Sequence, residues 1–222
     1  MKKKLCLALS GALCLSAGVG CGTETAEETL TPVRLNEVVH SVFYAPQYVA
    51  QELGFFEEEG LDVSVAVGNG ADKSMTALLS DSADIALLGT EAGLYVYAEG
   101  KADYPKTFAQ LTQRAGNFLV SREDEPDFQW SDLERKSVIG GRLGGMPEMV
   151  LEYVIKENGM TIGKDMEIIN NIDFTSTAGA FLGEVGDYTV EFEPAATTLE
   201  QSGKGHIVAS LGEASGYVPY TV

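Results

Sequence analysis

Apolar residues along the chain recur with two periods, two and about 3.6, in short segments separated by glycine and acidic turns. Val33 to Val39 reads as a short strand. Pro46 fits a first helical position and opens a helix that runs through Leu53. Phe55 to Glu59 forms a terminal turn closed by Gly60, and Leu61 to Val67 alternates apolar and polar residues as a second strand. After the turn Gly68-Asn69-Gly70, Ala71 to Ser80 is helical, with Met75, Leu78 and Leu79 expected on one face. Ile85 to Leu88 is a compact apolar strand and Glu91 to Glu99 a further helix. Strand and helix alternate three times, which predicts a largely parallel sheet with both faces covered.

The second half continues in the same style. Thr107 to Thr112 and Asn117 to Val120 read as a strand pair or one long bent strand. The polar stretch Arg122 to Gln129 is the expected lobe boundary. Strands are expected at Ser137 to Gly140, Met166 to Asn170, Tyr188 to Val190 and Ile207 to Ala209. Helices are expected at Pro147 to Glu157, Thr175 to Leu182 and Pro194 to Gln201. The whole reads as α/β, with a first lobe over 33–121, a second over 122–216, and the start of a return crossing over 217–222.

The N-terminus has a different character. Lys2, Lys3 and Lys4 precede an apolar stretch, Leu5 to Val19, that is short for a membrane span and rich in glycine and alanine. It suits a cleaved export signal over residues 1–21. Gly18-Val19-Gly20 before Cys21 resembles a bacterial lipoprotein signal, in which Cys21 would carry the lipid, although Gly18 stands where leucine is usual. The alternative is an ordinary signal cut nearby. Residues 22–32 are small, polar and acidic, and read as a flexible tether. All three cysteines (Cys6, Cys14, Cys21) lie in the first 21 residues, so no disulfide or thiol site is expected beyond them.

Charge removes one class of partner. Three of the 15 lysines and arginines are in the signal, which leaves 12 against 33 acidic residues, a net of −21. Nucleic acid would be repelled.

Five segments in order carry a resemblance. They are the run from Tyr44-Ala45-Pro46-Gln47-Tyr48 to Gly60-Leu61-Asp62-Val63, then Ala77-Leu78-Leu79-Ser80-Asp81-Ser82-Ala83-Asp84-Ile85-Ala86, then Gly140-Gly141-Arg142-Leu143-Gly144-Gly145-Met146-Pro147-Glu148, then Phe192-Glu193-Pro194, and the ending Tyr217 to Val222. Together they resemble the solute-binding proteins of ATP-binding-cassette importers, in the branch that includes sulfonate, nitrate and thiamine-pyrimidine-precursor binders. The resemblance implies a two-lobed type II periplasmic-binding-protein architecture with mainly parallel sheets. It also implies a small-molecule ligand between the lobes, a membrane permease as partner, and an extracytoplasmic place on a lipid anchor. Members of that branch are usually longer, so the first lobe is expected to be incomplete.

In open α/β sheets, ligands sit beyond the carboxyl ends of strands, where backbone N–H groups and helix N-termini point outward. Three strand-to-helix loops suit that position, and they place His40, Ser41, Tyr44, Gly89, Thr90, Glu91, Gly144, Gly145 and Met146 at the expected site. Phe174 and Glu193 join them from second-lobe loops. Glycine lets backbone approach a ligand, Ser41 and Thr90 offer hydroxyls, and Tyr44 offers a ring to stack. Phe43 reads instead as a hydrophobic staple against the next helix. Thr90 also suits a helix N-cap, and Glu91 suits the helix dipole. Arg142 is the one obvious cation of these loops, which tilts the ligand towards a flat, nitrogen-rich heterocycle such as a thiamine pyrimidine precursor. A sulfonate, taurine or nitrate is the alternative.

No metal is expected at His40, which lacks companion ligands. The sequence holds no G-x-S-x-G elbow and no His-Glu-x-x-His motif, and Gly140 to Gly145 lacks the Lys-Ser/Thr of a phosphate-binding loop. Relatives that build the thiamine pyrimidine need a cysteine cluster that is absent from 22–222. A binder without cofactor is therefore expected, with such an enzyme as the remote alternative.

Overall fold

The structure, a computed structural model, describes residues 29–222. The expected export signal, Cys21 and most of the expected tether lie outside the described residues. Among those described, no helix is long and apolar enough to cross a membrane.

The first lobe is built on three parallel strands in the order β2-β1-β3. Strand β1 spans Thr31–Glu37, β2 spans Leu61–Val67 and β3 spans Ile85–Leu87. β1 starts two residues before the expected Val33, because the Thr31 N–H finds the Gly60 carbonyl at 2.8 Å and the strand pairs with β2 from there. Helix α1 (Ala45–Glu52) carries Pro46 in its first turn, where a missing N–H costs nothing. Then come α2 (Phe55–Glu58), α3 (Ala71–Leu79) and α4 (Thr90–Ala98). Met75 of α3 packs with Leu88 and Ala92 in a small core, but Leu79 is half exposed rather than on the buried face.

The second lobe holds five strands in the order β6-β5-β7-β4-β8. These are β4 (Asn117–Ser121), β5 (Ser137–Ile139), β6 (Glu167–Ile169), β7 (Tyr188–Phe192) and β8 (His206–Ser210). β5 runs parallel to β6 and β7, whereas β4 is antiparallel to β7 and β8. Helices α5 (Met146–Glu157), α6 (Thr177–Leu182), α7 (Ala195–Gln201) and α8 (Leu211–Ser215) complete it. Most of the core is here: Leu119, Val138, Leu151, Ile155 and Val190 form one cluster, and Val120, Ile139, Phe181 and Ala196 another.

Two expectations change. β4 belongs to the second sheet, so the chain passes between lobes over residues 99–116 and not at Arg122 to Gln129. That polar stretch is tied into the second lobe instead. The Arg122 guanidinium donates to the carbonyls of Phe181, Val185 and Gly186, and Glu125 accepts from the hydroxyls of Ser121 and Tyr188. The strand expected at Thr107 to Thr112 does not form. Its backbone meets a neighbour near one residue, Thr221, whose carbonyl accepts from the N–H groups of Leu111 and Thr112. A strand needs a partner along its length.

Residues 217–222 run back beside that passage. Val218 and Tyr220 donate to Gln113 and Thr112, and Val222 exchanges two backbone hydrogen bonds with Leu88 at the end of β3. Helix α8 seats Gly212 against this passage so closely that a Cβ there would lie 2.2 Å from the Ala115 carbonyl oxygen.

Candidate functional site

A cleft opens between the lobes, with ≈ 950 Å³ of empty space counted out to solvent at its mouth. Its walls are the loops that follow the carboxyl ends of β1, β2, β3, β5, β6 and β7. The first lobe contributes Ser41, Phe43 and Tyr44 after β1, Asn69 before α3, Lys73 in the first turn of α3, and Gly89 and Glu91 at the start of α4. The second contributes Arg142, Gly145, Met146 and Pro147 before α5, Asp173 and Phe174 before α6, and Phe192 at the end of β7. Tyr220 and Thr221 of the return passage close the floor.

Aromatic rings dominate the lining. Phe192 lies 4.9 Å from Phe174 and 5.3 Å from Phe43 between centroids, and Phe43 meets Tyr220 edge-on at 5.5 Å. Phe43, Phe174 and Phe192 are half-buried and keep exposed surface, while Tyr44 and Tyr220 are buried in the wall.

The polar groups arrange themselves in a particular way. Arg142, exposed at the rim, pairs with Asp72 of the opposite lobe at 3.1 Å and with Asp173 at 3.5 Å. Two buried carboxylates occupy backbone donors around the N-terminus of α5. Glu91 crosses from the first lobe to accept from the Met146 N–H at 3.1 Å, and Glu148 accepts from the Gly144 N–H at 3.1 Å. Helix N-termini and nearby N–H groups usually attract anions from solution, and here the protein's own carboxylates take that place. Burial pushes the Glu91 carboxyl up to about 7, against the bond from Met146, and burial also raises Glu148. Across the rim, the Tyr95 hydroxyl donates to the Gly144 carbonyl at 3.1 Å, a third tie between the lobes.

Seven of the sequence-predicted residues line the cleft: Ser41, Tyr44, Gly89, Glu91, Gly145, Met146 and Phe174. The other four do not. His40 turns to solvent, with its ring on Tyr48 and its Nδ1 2.9 Å from the buried Glu37 carboxylate. Thr90 is not the cap of α4, since Gly89 holds that position, and its hydroxyl donates to the Pro219 carbonyl at 2.6 Å. Gly144 sits behind the lining with φ +73°, in the left-handed region glycine tolerates. Glu193 accepts from the N–H and hydroxyl of Thr197 in α7. Among the described residues, no group of three His, Cys, Asp or Glu side chains is placed to hold a metal ion.

Sequence reasoning missed Lys73, Phe192 and Tyr220, and read Phe43 only as a staple. Phe192 carried a signal, being the last residue of a strand before Glu193-Pro194. Tyr220 carried none, because it reaches the cleft from the far end of the chain.

Comparison with known proteins adds three findings. The family described as NMT1/THI5 like matches residues 42–211. YtlA of Bacillus subtilis (strain 168), a binding protein by its name, is 54% identical over 195 residues, covering 88% of this chain and 58% of that protein. The chain thus spans little more than half the length of this relative. Among solved structures, the alkanesulfonate-binding protein SsuA of Xanthomonas axonopodis pv. citri, bound to MOPS, superposes with a TM-score of 0.63 at 19% identity, over 84% of this chain and 62% of that one. The periplasmic nitrate-binding protein NrtA of Synechocystis PCC 6803 gives 0.65 at 20% identity, over 81% and 51%. At these identities the likeness shows the fold, an α/β architecture of the periplasmic-binding-protein kind.

Proposed function

The chain belongs to the NMT1/THI5-like family, and from that premise we propose that it is the solute-binding component of an ATP-binding-cassette importer. It captures a flat, nitrogen-rich heterocycle, of the kind of a thiamine pyrimidine precursor, between its lobes and delivers it to a membrane permease. Its place is extracytoplasmic, on a lipid attached at Cys21. It acts as a binder and not as a catalyst.

One observation supports the ligand class: the cleft is walled by aromatic rings, and its anion-favouring groups, the exposed Lys73 apart, are already engaged. Arg142 faces Asp72 and Asp173, and the donors of Met146 and Gly144 face Glu91 and Glu148. A sulfonate, taurine or nitrate would have to displace these carboxylates, and Glu91 and Glu148 would then be left buried without their partners. A neutral or weakly basic ring has no such competitor, and it gains stacking against Phe43, Phe174 or Phe192.

Calorimetric titration with a hydroxymethyl-aminopyrimidine, an alkanesulfonate, taurine and nitrate tests the reading. The pyrimidine is expected to bind most tightly. Phe174→Ala is expected to weaken it by on the order of 1 kcal/mol, about fivefold, with little change in melting temperature, because that ring is half-buried at the cleft. Tighter binding of an alkanesulfonate or nitrate would replace the ligand class, and no response to any of the four would remove the solute-binding reading itself.

A further inference from the structure

Two polar atoms in the cleft wall lack partners. The Glu91 side chain accepts from the Met146 N–H through Oε1, while its Oε2 is buried with no hydrogen-bond partner among the described residues. The Tyr220 hydroxyl is likewise buried and unpartnered. Both residues line the cleft, at 4% exposure each. Their segments are joined, the Thr90 hydroxyl donating to the Pro219 carbonyl at 2.6 Å and Leu88 exchanging backbone hydrogen bonds with Val222. Burial, then the charges of Tyr44 and Glu91, hold the Tyr220 hydroxyl above its ordinary pKa. Leaving a buried acceptor or hydroxyl unmatched is costly, and an ionised oxygen costs more than a neutral one.

Building on the solute-binding reading above, we propose that Glu91 and Tyr220 are the specificity-determining pair of the cleft, selecting a flat ligand that presents two N–H donors along one edge. Glu91 Oε2 accepts one hydrogen bond and the Tyr220 hydroxyl oxygen accepts the other, while Phe43, Phe174 and Phe192 bound the ring. The ligand class is an aromatic amidine or amino-heterocycle. An oxyanion is rejected because it would put like charge against Glu91 in a site with little water to screen it. Two cations line the cleft: Arg142 is shared by Asp72 and Asp173, and Lys73 is exposed to solvent, where its charge is screened.

The test uses a pair of probes alike in ring and opposite in charge, benzamidine and benzenesulfonate, titrated calorimetrically at pH 8, above the value of about 7 to which burial raises Glu91. Benzamidine is expected to bind about tenfold or more tightly than benzenesulfonate. Glu91→Gln keeps an oxygen for the Met146 N–H but loses the charge, and it is expected to weaken benzamidine about tenfold. Tyr220→Phe keeps the ring against Phe43 and Phe192 and removes only the hydroxyl, and a loss of several-fold is expected. Melting of both variants without probe shows whether each is folded, and the second stands if the first is not. Equal or tighter binding of benzenesulfonate, unchanged benzamidine affinity in both variants, or no binding of either probe at millimolar concentration would overturn the assignment. Benzenesulfonate winning would leave the solute-binding reading intact and end only this one.

Discussion

At the scale of single residues, the molecule stores acid groups where water does not reach. Glu91 and Glu191 are both pushed up to about 7 by burial, and Glu191 stays there despite the hydrogen bond from the Thr189 hydroxyl. Between the ordinary glutamate value of 4.5 and 7, the folded state holds more protons at these sites than the unfolded chain does. Stability therefore falls as pH rises through that window and is level above it. Each group accounts for a loss on the order of 3 kcal/mol as an upper figure. The carboxylates that are held low, such as Asp84 beside Arg34 at about 2, act in the opposite sense and only in more acid solution. The ligand-free protein is expected to melt higher at pH 5 than at pH 8. Because general repulsion within an acidic chain works in the same direction, the decisive measurement is Glu191→Gln, whose melting temperature should fall less over that range than the wild type's. Parallel curves would show that Glu191 ionises at its ordinary pH.

At the scale of elements, positions are fixed by what each segment touches rather than by its own propensity. Helix α8 is five residues long, too short to be stable alone. It is held by the Ser210 hydroxyl accepting from the Glu213 N–H at 3.3 Å, by burial of Leu211, and by the approach of Gly212 to the Ala115 carbonyl. Gly212→Ala is expected to destabilise the protein by about 1–3 kcal/mol, since the obstacle is backbone and cannot rotate away. Gly203→Ala provides the contrast: nothing lies within 4 Å of the added carbon, so its cost is confined to the left-handed backbone at φ +64°. Chemical denaturation of the two separates close packing from backbone strain, and equal losses would mean that α8 yields at little cost.

At the scale of the whole molecule, the lobes are joined by two extended passages and tied across the cleft by Arg142 to Asp72, Tyr95 to Gly144 and Glu91 to Met146. The Arg142 pair is exposed, and pairs of that kind are worth at most about 1 kcal/mol. Its expected effect is therefore on how closely the lobes approach rather than on the stability of the fold. Asp72→Asn is expected to leave the melting temperature nearly unchanged while enlarging the ligand-free radius of gyration in small-angle scattering; an unchanged radius would mean the other ties hold the lobes unaided. Anchoring belongs to this scale too. Cys21→Ser is expected to abolish labelling by a palmitate analogue and to release the protein from membranes, and persistent membrane association would exclude a lipid on Cys21.

Much of this was legible in the residues themselves. Alternation at Leu61 to Val67, Pro46 at a helix start, and Gly60 at φ +76° before β2 are local facts, so strands, helices and their order follow from periods of two and 3.6 with the turn chemistry between them. The same order placed seven of eleven candidate residues on the cleft, because loops at the carboxyl ends of parallel strands converge wherever such a sheet forms. What the sequence could not settle depends on partners distant along the chain. Arg122 looked like part of a linker until the α6 carbonyls came to meet it, and Thr107 to Thr112 looked like a strand until no strand lay beside it. Thr90 and Glu91 are adjacent, yet Thr90 turns to Pro219 while Glu91 turns to Met146 and lines the cleft. Local pattern decides which element a residue joins, but only the packing of lobe against lobe decides which side chains are buried in the cleft and which of them are left without a partner.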